Sequence, residues 1–279
     1  MKLIENKTID EERALYGSEN LLLRNCRIEG PADGESALKE SSAVKVESCF
    51  FNLRYPFWHN TKLIIEDTEM GEKCRAPLWY SSEVILNNCK INGVKAIREC
   101  NKIMIEECDI VSPEFGWNTD DLEMVHSRCE GEYFMMRASN FRLKDMTLKG
   151  KYSFQYVHDA TLTDCRLDTK DALWHAKNVI VRDSVINSEY LAWYSDNVTF
   201  INCEIRGTQP FCYCKNLKIT NCEMHDADLA FEKSQVEASI RNPIKSIKNP
   251  YSGYITLPYA EEIILTDENA KCNINQLRK

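Results

Sequence analysis

The sequence predicts an all-β solenoid: a single-stranded, right-handed parallel β-helix of about twelve coils of about 19 residues. Three observations predict it. First, a motif N-x-(apolar)-x-(apolar)-x-x-C-x-(apolar) recurs along the chain. Its cysteine position falls at Cys89, Cys108, Ser127, Met146, Cys165, Ser184, Cys203 and Cys222, each 19 residues after the last, and upstream at Cys26, Cys49 and Thr68, at steps of 23, 19 and 21. Second, each unit holds short apolar strands with no helical pattern between them, whereas a helical solenoid needs about 33 or more residues per repeat. A left-handed β-helix of hexapeptides would need a multiple of six. Third, apolar and polar residues alternate inside the motif, as strands require. Right-handedness is the default for parallel crossovers.

The elements follow in order. The repeat runs without a linker, so one domain is expected over residues 1–279: an N-terminal cap at 1–13, coils at 14–231 and a C-terminal cap at 232–279. Caps are expected because open solenoid ends would pair with other chains. Met1 to Asp10 supplies a first strand. After Phe231 the register fails, and Pro243, Pro250, Gly253 and Pro258 break regular coils before a last strand at Glu262, Ile263, Ile264 and Leu265.

Within a coil, Leu217 and Ile219 share one strand face; Asn221 breaks the alternation, and Cys222 and Met224 point inward again. The residue before the cysteine position is Asn25, Ser48, Asp67, Asn88, Glu107, His126, Asp145, Asp164, Asp183, Asn202 or Asn221. Small polar side chains suit a sharp bend because they bond neighbouring backbone. Stacked at about 4.8 Å, they would form a polar ladder.

The N-x-I-x-N-C-x-I coils with Asn at the bend resemble the pectate-lyase-like superfamily of right-handed β-helices. Segments such as Glu12-Arg13-Ala14-Leu15-Tyr16-Gly17, Gly34-Glu35-Ser36-Ala37-Leu38-Lys39-Glu40 and Ser246-Ile247-Lys248-Asn249-Pro250 are similar to an uncharacterised bacterial family within it. The resemblance implies the fold and a leaning toward carbohydrate, without an established activity. It also implies that a site would lie on the outer face of the strand ending just before each motif Asn.

Indexed backward from the motif Asn, that strand forms columns. Four back lie all five tryptophans, Trp58, Trp79, Trp117, Trp174 and Trp193. Two back the residues are small: Ser81, Thr119, Ala138, Ala176, Ser195 and Cys214. Three back run His59, Tyr80, Arg98, Asn118, Arg137, Tyr156, His175, Tyr194 and Tyr213. Arginine is rarely buried unpaired, so the column three back points out and, by strand alternation, the tryptophans point in. Phe57, Leu78, Met135, Phe154, Leu173 and Phe211, five back, would also face out. Seven back, Glu114, Tyr133, Tyr152, Asp171 and Tyr190 lie at the edge. A bend inside this strand would instead turn the tryptophans to solvent, where they would stack on sugar rings.

The outward column is the candidate ligand site: His59, Tyr80, Arg98, Asn118, Arg137, Tyr156, His175 and Tyr194. Arg98 and Arg137 would flank Asn118 and could hold a carboxylate, sulfate or phosphate through bidentate bonds. Tyrosines beside them offer aromatic faces and hydroxyls. An anionic, uronate-containing oligosaccharide fits this strip. The same ladder would also stabilise a sheet with no ligand at all, by about 0.2 to 1 kcal/mol per pair, so a non-catalytic scaffold using this face for a protein partner or self-association is the alternative.

No catalytic residue can be assigned. A glycoside hydrolase needs two carboxylates about 5 to 10 Å apart; Asp120 and Asp121 with Glu99 are the nearest approach to that, and solvated turn acids are commoner. A lyase would need a base such as Arg98 or Arg137, with calcium held by Asp120 and Asp121, but no matching acidic cluster is visible. No other cofactor is expected. His59 and His175 lie six coils apart and form no pair, His126 falls in the bend column, and His158 and His225 are turn residues. Cys212 and Cys214 lack the further ligands that zinc wants and read as core filling. Stacked motif cysteines fall within disulfide range, yet with no export signal in the first residues thiols in a reducing cytoplasm are expected. A net charge of -8 argues against binding nucleic acid phosphates, and no apolar run of about 18 residues exists to span a membrane. The oligomeric state is open.

Overall fold

The computed structural model describes residues 1–30 and 35–277; Gly34, in one of the segments quoted above, and the last two residues of the C-terminal segment lie outside them. The described residues form strands and turns and no helix. They build a right-handed parallel β-helix of about 14 turns, in two compact units, Met1–Arg142 and Leu143–Lys279.

In the first unit the motif's alternating half forms long parallel strands, among them Glu19–Arg24, Ser42–Glu47, Thr61–Glu66, Ser82–Asn87, Asn101–Glu106 and Asp120–Val125. The register keeps equivalent residues level, as in Leu21↔Val44, Val44↔Leu63, Val84↔Leu63 and Val84↔Ile103. Short strands such as Arg27–Ile28, Phe50–Phe51, Glu69–Met70, Lys90–Asn92 and Asp109–Val111 form the second stack. The second unit repeats the plan with His158–Thr163, Lys177–Arg182, Asp196–Ile201 and Leu217–His225, and with Arg166–Asp168, Val185–Asn187 and Glu204–Arg206.

Two more turns exist than the motif count gives, because both terminal segments pair as coils. Lys2–Glu5 pairs in parallel with Glu19–Arg24. Beyond Phe231, Ala238 pairs with Ile219, Ile255 with Ala238 and Ile274 with Ile255. Those steps are 19, 17 and 19 residues (238−219, 255−238, 274−255), so one shortened coil ends the sequence period without ending the stack.

The bend ladder forms as its composition requires. Asn88 Nδ2 donates to Asp67 Oδ1 at 2.6 Å, Asn202 to Asp183 at 2.9 Å and Asn221 to Asn202 at 2.8 Å. These residues sit at φ near +50°, with Asn88 at 50° and Asn202 at 54°, a region that Asn and Asp tolerate best among non-glycines. A second ladder runs along the motif's first Asn: Asn178 donates to Asp159 at 2.8 Å and Asn197 to Asn178 at 2.9 Å.

The cysteine position is a buried hydrogen-bonding hinge. The Cys108 amide donates to Ser127 Oγ at 3.0 Å, the Cys165 amide to Ser184 Oγ at 3.0 Å and the Cys203 amide to Cys222 Sγ at 3.3 Å. Ser127 and Ser184 hydroxyls donate in turn to Val125 and Arg182 carbonyls, each at 2.7 Å. Cys, Ser and Thr interchange there because each is small and can accept the amide that the bend leaves unpaired. All thirteen cysteines are free thiols. Burial pushes Cys49 and Cys165 up to about 11 and Cys74 up to about 12.

The segment that carries the tryptophans departs from the expected strand. Positive φ recurs at every second residue, as at Tyr133, Met135 and Arg137 (57°, 59°, 57°) and at Asp171, Leu173 and His175 (51°, 61°, 55°). Extended pieces survive only as Leu78–Trp79 and Ile97–Arg98. Left-handed residues rotate the following side chain, so the period-two rule fails. Phe57, Leu78, Met135, Phe154, Leu173 and Phe211, expected outward, are buried and belong to the core. The small column two back is buried as expected. The tryptophans point neither in nor out: all five are half-buried on the shoulder of this segment.

Candidate functional site

The column three back does face solvent. His59, Tyr80, Arg137, Tyr156, His175 and Tyr194 are exposed, and Arg98, Asn118 and Tyr213 half-exposed. Each of its residues in the regular coils is left-handed, with Tyr156 and Tyr194 at 59° and Tyr213 at 62°, which turns the side chain away from the core. The structure then treats the column differently in the two units.

In the first unit the strip is a charge-balanced stack. Lys39 Nζ lies 4.7 Å from the Trp58 ring centroid, Trp58 stacks on Trp79 at 5.5 Å, and the Arg98 guanidinium sits between Trp79 and Trp117 at 5.1 and 5.2 Å. Where Ile97 interrupts the tryptophan column, Arg98 fills the gap. Arg98 is not a bare anion clamp. Its Nε and Nη1 lie 4.0 Å from Glu99 Oε1 and Glu114 Oε2, Lys95 Nζ is 3.2 Å from Glu114, and Asn118 Nδ2 donates to Glu99 at 2.7 Å. Guanidinium and indole faces are thereby spent on one another. His59 and Tyr80 stack beside them at 5.0 Å.

In the second unit the strip is a stack of rings. Tyr156 and His175 centroids are 4.9 Å apart with planes at 5°, His175 and Tyr194 5.1 Å at 9°, and Tyr194 and Tyr213 4.7 Å at 8°. Each pair contributes roughly 0.5 to 1.5 kcal/mol beyond its area. Ring faces are used inside the stack, so the edges and polar tips meet solvent; Tyr156 and Tyr194 are each 48% exposed. Among the described residues the Tyr194 and Tyr213 hydroxyls and the His175 ring make no hydrogen bond. Burial pushes the Tyr213 phenol above its ordinary value. Behind the stack Trp174 and Trp193 lie parallel at 5.5 Å, their indole N–H groups donating to Tyr190 O at 2.8 Å and Gln209 O at 2.7 Å. Those bonds lock the platform.

The expected acid cluster is not assembled. Asp120 accepts bonds from Ser139 and Asn140, Asp121 lines a groove on the long sheet, and Glu99 is taken by Asn118 and Arg98. Among the described residues no three His, Cys, Asp or Glu side chains gather to hold a metal ion. Cys212 and Cys214 are buried in the core. Asp171, expected at an outer edge, is only 8% exposed, and burial raises its pKa. Sequence reasoning missed the carboxylates that occupy Arg98, because Glu99 and Glu114 reach it from flanking positions that carry no periodic signal.

The coils, bend ladders and register define the class, a right-handed parallel β-helix. Within it the chain belongs to the DUF3737 family, described as proteins of unknown function, whose model matches residues 2–277. No curated protein matches the sequence. Among solved structures it is similar to a tailspike protein of E. coli bacteriophage HK620 in complex with a pentasaccharide, at 9% identity over 92% of this chain and 61% of that chain, with a TM-score of 0.44. PfbA, a surface adhesin of Streptococcus pneumoniae, matches at 8% identity over 88% of this chain and 82% of that one, with a TM-score of 0.40. The A-module of the Azotobacter vinelandii mannuronan C-5 epimerase AlgE4 matches at 8% identity over 98% and 87%, with a TM-score of 0.32. The chain spans 61% of the tailspike's length.

Proposed function

We propose that this chain is a carbohydrate-binding β-helix whose ligand is an oligosaccharide laid along the outward column of the second unit. One observation carries the reading: Tyr156, His175, Tyr194 and Tyr213 form a rigid row of exposed ring edges at 4.7 to 5.1 Å intervals, with unspent hydrogen-bonding groups on His175, Tyr194 and Tyr213. A row of phenols and an imidazole, each able to donate and accept, suits a linear polyhydroxylated chain, one sugar per coil. Preorganisation by the bonded tryptophans limits the entropy that binding costs.

A uronate-bearing glycan is the narrower form of the reading. Arg137 is exposed and supports it. The pairing of Arg98 with Glu99 and Glu114 weighs toward a ligand read by hydroxyls more than by charge. Binding without turnover is the expected behaviour, since no pair of facing carboxylates lines the ring stack.

The test is a binding and turnover screen of the purified protein against neutral and uronate oligosaccharides, with and without calcium. Binding with no new reducing ends and no unsaturated uronate absorbance is expected. Failure to bind any oligosaccharide overturns the proposal.

A further inference from the structure

The outer face of the long sheet in the first unit holds a shallow groove of about 420 Å³. Its floor is one row across neighbouring strands: the register sets Ile85 level with Ile64 and with Met104. Ile85 is 38% exposed and Met104 47%. Exposed apolar groups in a contiguous row mark an interaction surface more often than singly scattered ones do.

Beside this row stands a second, Lys62, Glu83, Lys102 and Asp121. Each is the left-handed residue of its strand, at φ of 55°, 55°, 55° and 54°, so the ladder skips it and its side chain stands at the groove's edge. The charges read plus, minus, plus, minus. Neighbouring members carry opposite charge, yet among the described residues none of the four makes an ion pair. Such an order is antisymmetric about its centre. A half-turn about an axis parallel to the strands, midway between Ser82–Asn87 and Asn101–Glu106, sets every plus against a minus.

We propose that two copies of this chain associate face to face through this groove about that axis. Lys62 then meets Asp121 of the second copy, Glu83 meets its Lys102, and Ile85 packs on its Met104. This is the self-complementary patch that a two-fold dimer requires, and no other partner is needed to explain the order of charge. The four strands span roughly 20 Å by 20 Å at about 4.8 Å per strand and about 3.3 Å per residue, so about 400 Å² per copy is covered. That is half of the standard interface of about 800 Å² per partner. The dimer is therefore weak and salt-sensitive, and it is independent of the glycan reading, which concerns another face and the other unit.

Sedimentation velocity over a rising protein concentration, at low and high salt, tests it. A concentration-dependent dimer that high salt dissociates is expected. Lys102→Glu sets like charges together and should weaken it about tenfold or more, and adding Glu83→Lys to that variant should restore it. Restoration excludes misfolding as the cause. With Ile85→Cys and Met104→Cys together, oxidation should trap a covalent dimer. A chain that stays monomeric at the highest concentration, or a dimer that Lys102→Glu leaves unchanged, overturns the proposal. So does cross-linking by Ile85→Cys alone, which would place the axis along the stack.

Discussion

The same column of outward residues is built twice and used in two ways. In the first unit it is closed by charge: Lys39 and Arg98 cap indole faces, and Glu99, Glu114 and Asn118 complete the network. In the second unit it is closed by rings alone, and the polar tips stay open. The tryptophans behind the columns differ as well. Trp174 and Trp193 donate to carbonyls of the next coil, while Trp58 and Trp79 Nε1 are buried without an acceptor. A repeat therefore sets where side chains stand, but the neighbours on the next coil decide whether they are available to a ligand.

The largest expected effects come from the coil-to-coil approach common to both units. A Cβ at Gly207 would run into the Ser188 carbonyl, at a φ of 144° that only glycine adopts readily. A Cβ at Gly131 would meet the Ser112 carbonyl. Gly207→Ala should cost more than about 2 kcal/mol, and Gly131→Ala less because only the contact is at fault; chemical denaturation measures both. Equal costs would mean that backbone strain adds nothing in the second unit.

Next in size, Trp193→Phe removes the donor that Gln209 O uses and should cost about 1 to 3 kcal/mol. Trp79→Phe removes a donor with no acceptor and should be close to neutral in that respect. The difference in denaturation midpoints checks the contrast, and a reversed order would break it.

Acid titration separates the units in sign. Glu47 in the first is held below its ordinary value by Lys45 and Arg24, so it contributes stability above its unfolded pKa that is lost as pH falls through the native one. Asp171 in the second is raised by burial, so its contribution is greatest below its unfolded pKa and declines as pH rises through the native one. Asp171→Asn should thus gain on the wild type as pH rises through mild acid, and Glu47→Gln should lose, by thermal unfolding at stepped pH.

Smallest is thiol reactivity. Twelve of the thirteen cysteines are buried, and Cys272 is half-buried, with burial raising it to about 11. A thiol reagent at neutral pH should label Cys272 slowly and no other in the folded chain; fast labelling of a motif cysteine would contradict its role as a hinge.

The fold was legible because its causes are periodic: Cys89, Cys108 and their successors mark one hinge per coil, and the bend residues mark the turn. Two things were not. The coils beyond Phe231 were hidden because one step shortens to 17 residues and the motif lapses. The alternation rule failed between Phe57 and His59, and again between Leu173 and His175, because alternate residues are left-handed there, and φ leaves no trace in apolar spacing. The exposed column was readable since arginine and tyrosine cannot both be core; which of its members are already engaged depends on Glu99 and Glu114, off the period.

The most direct measurement is calorimetric titration of one bound oligosaccharide into the wild type, Tyr194→Phe and Tyr80→Phe. If the second unit's column is the ligand strip, Tyr194→Phe weakens binding about five- to tenfold by losing one hydroxyl bond, with stability unchanged, while Tyr80→Phe binds as the wild type does. Binding that ignores Tyr194→Phe, or that falls with Tyr80→Phe instead, contradicts the account.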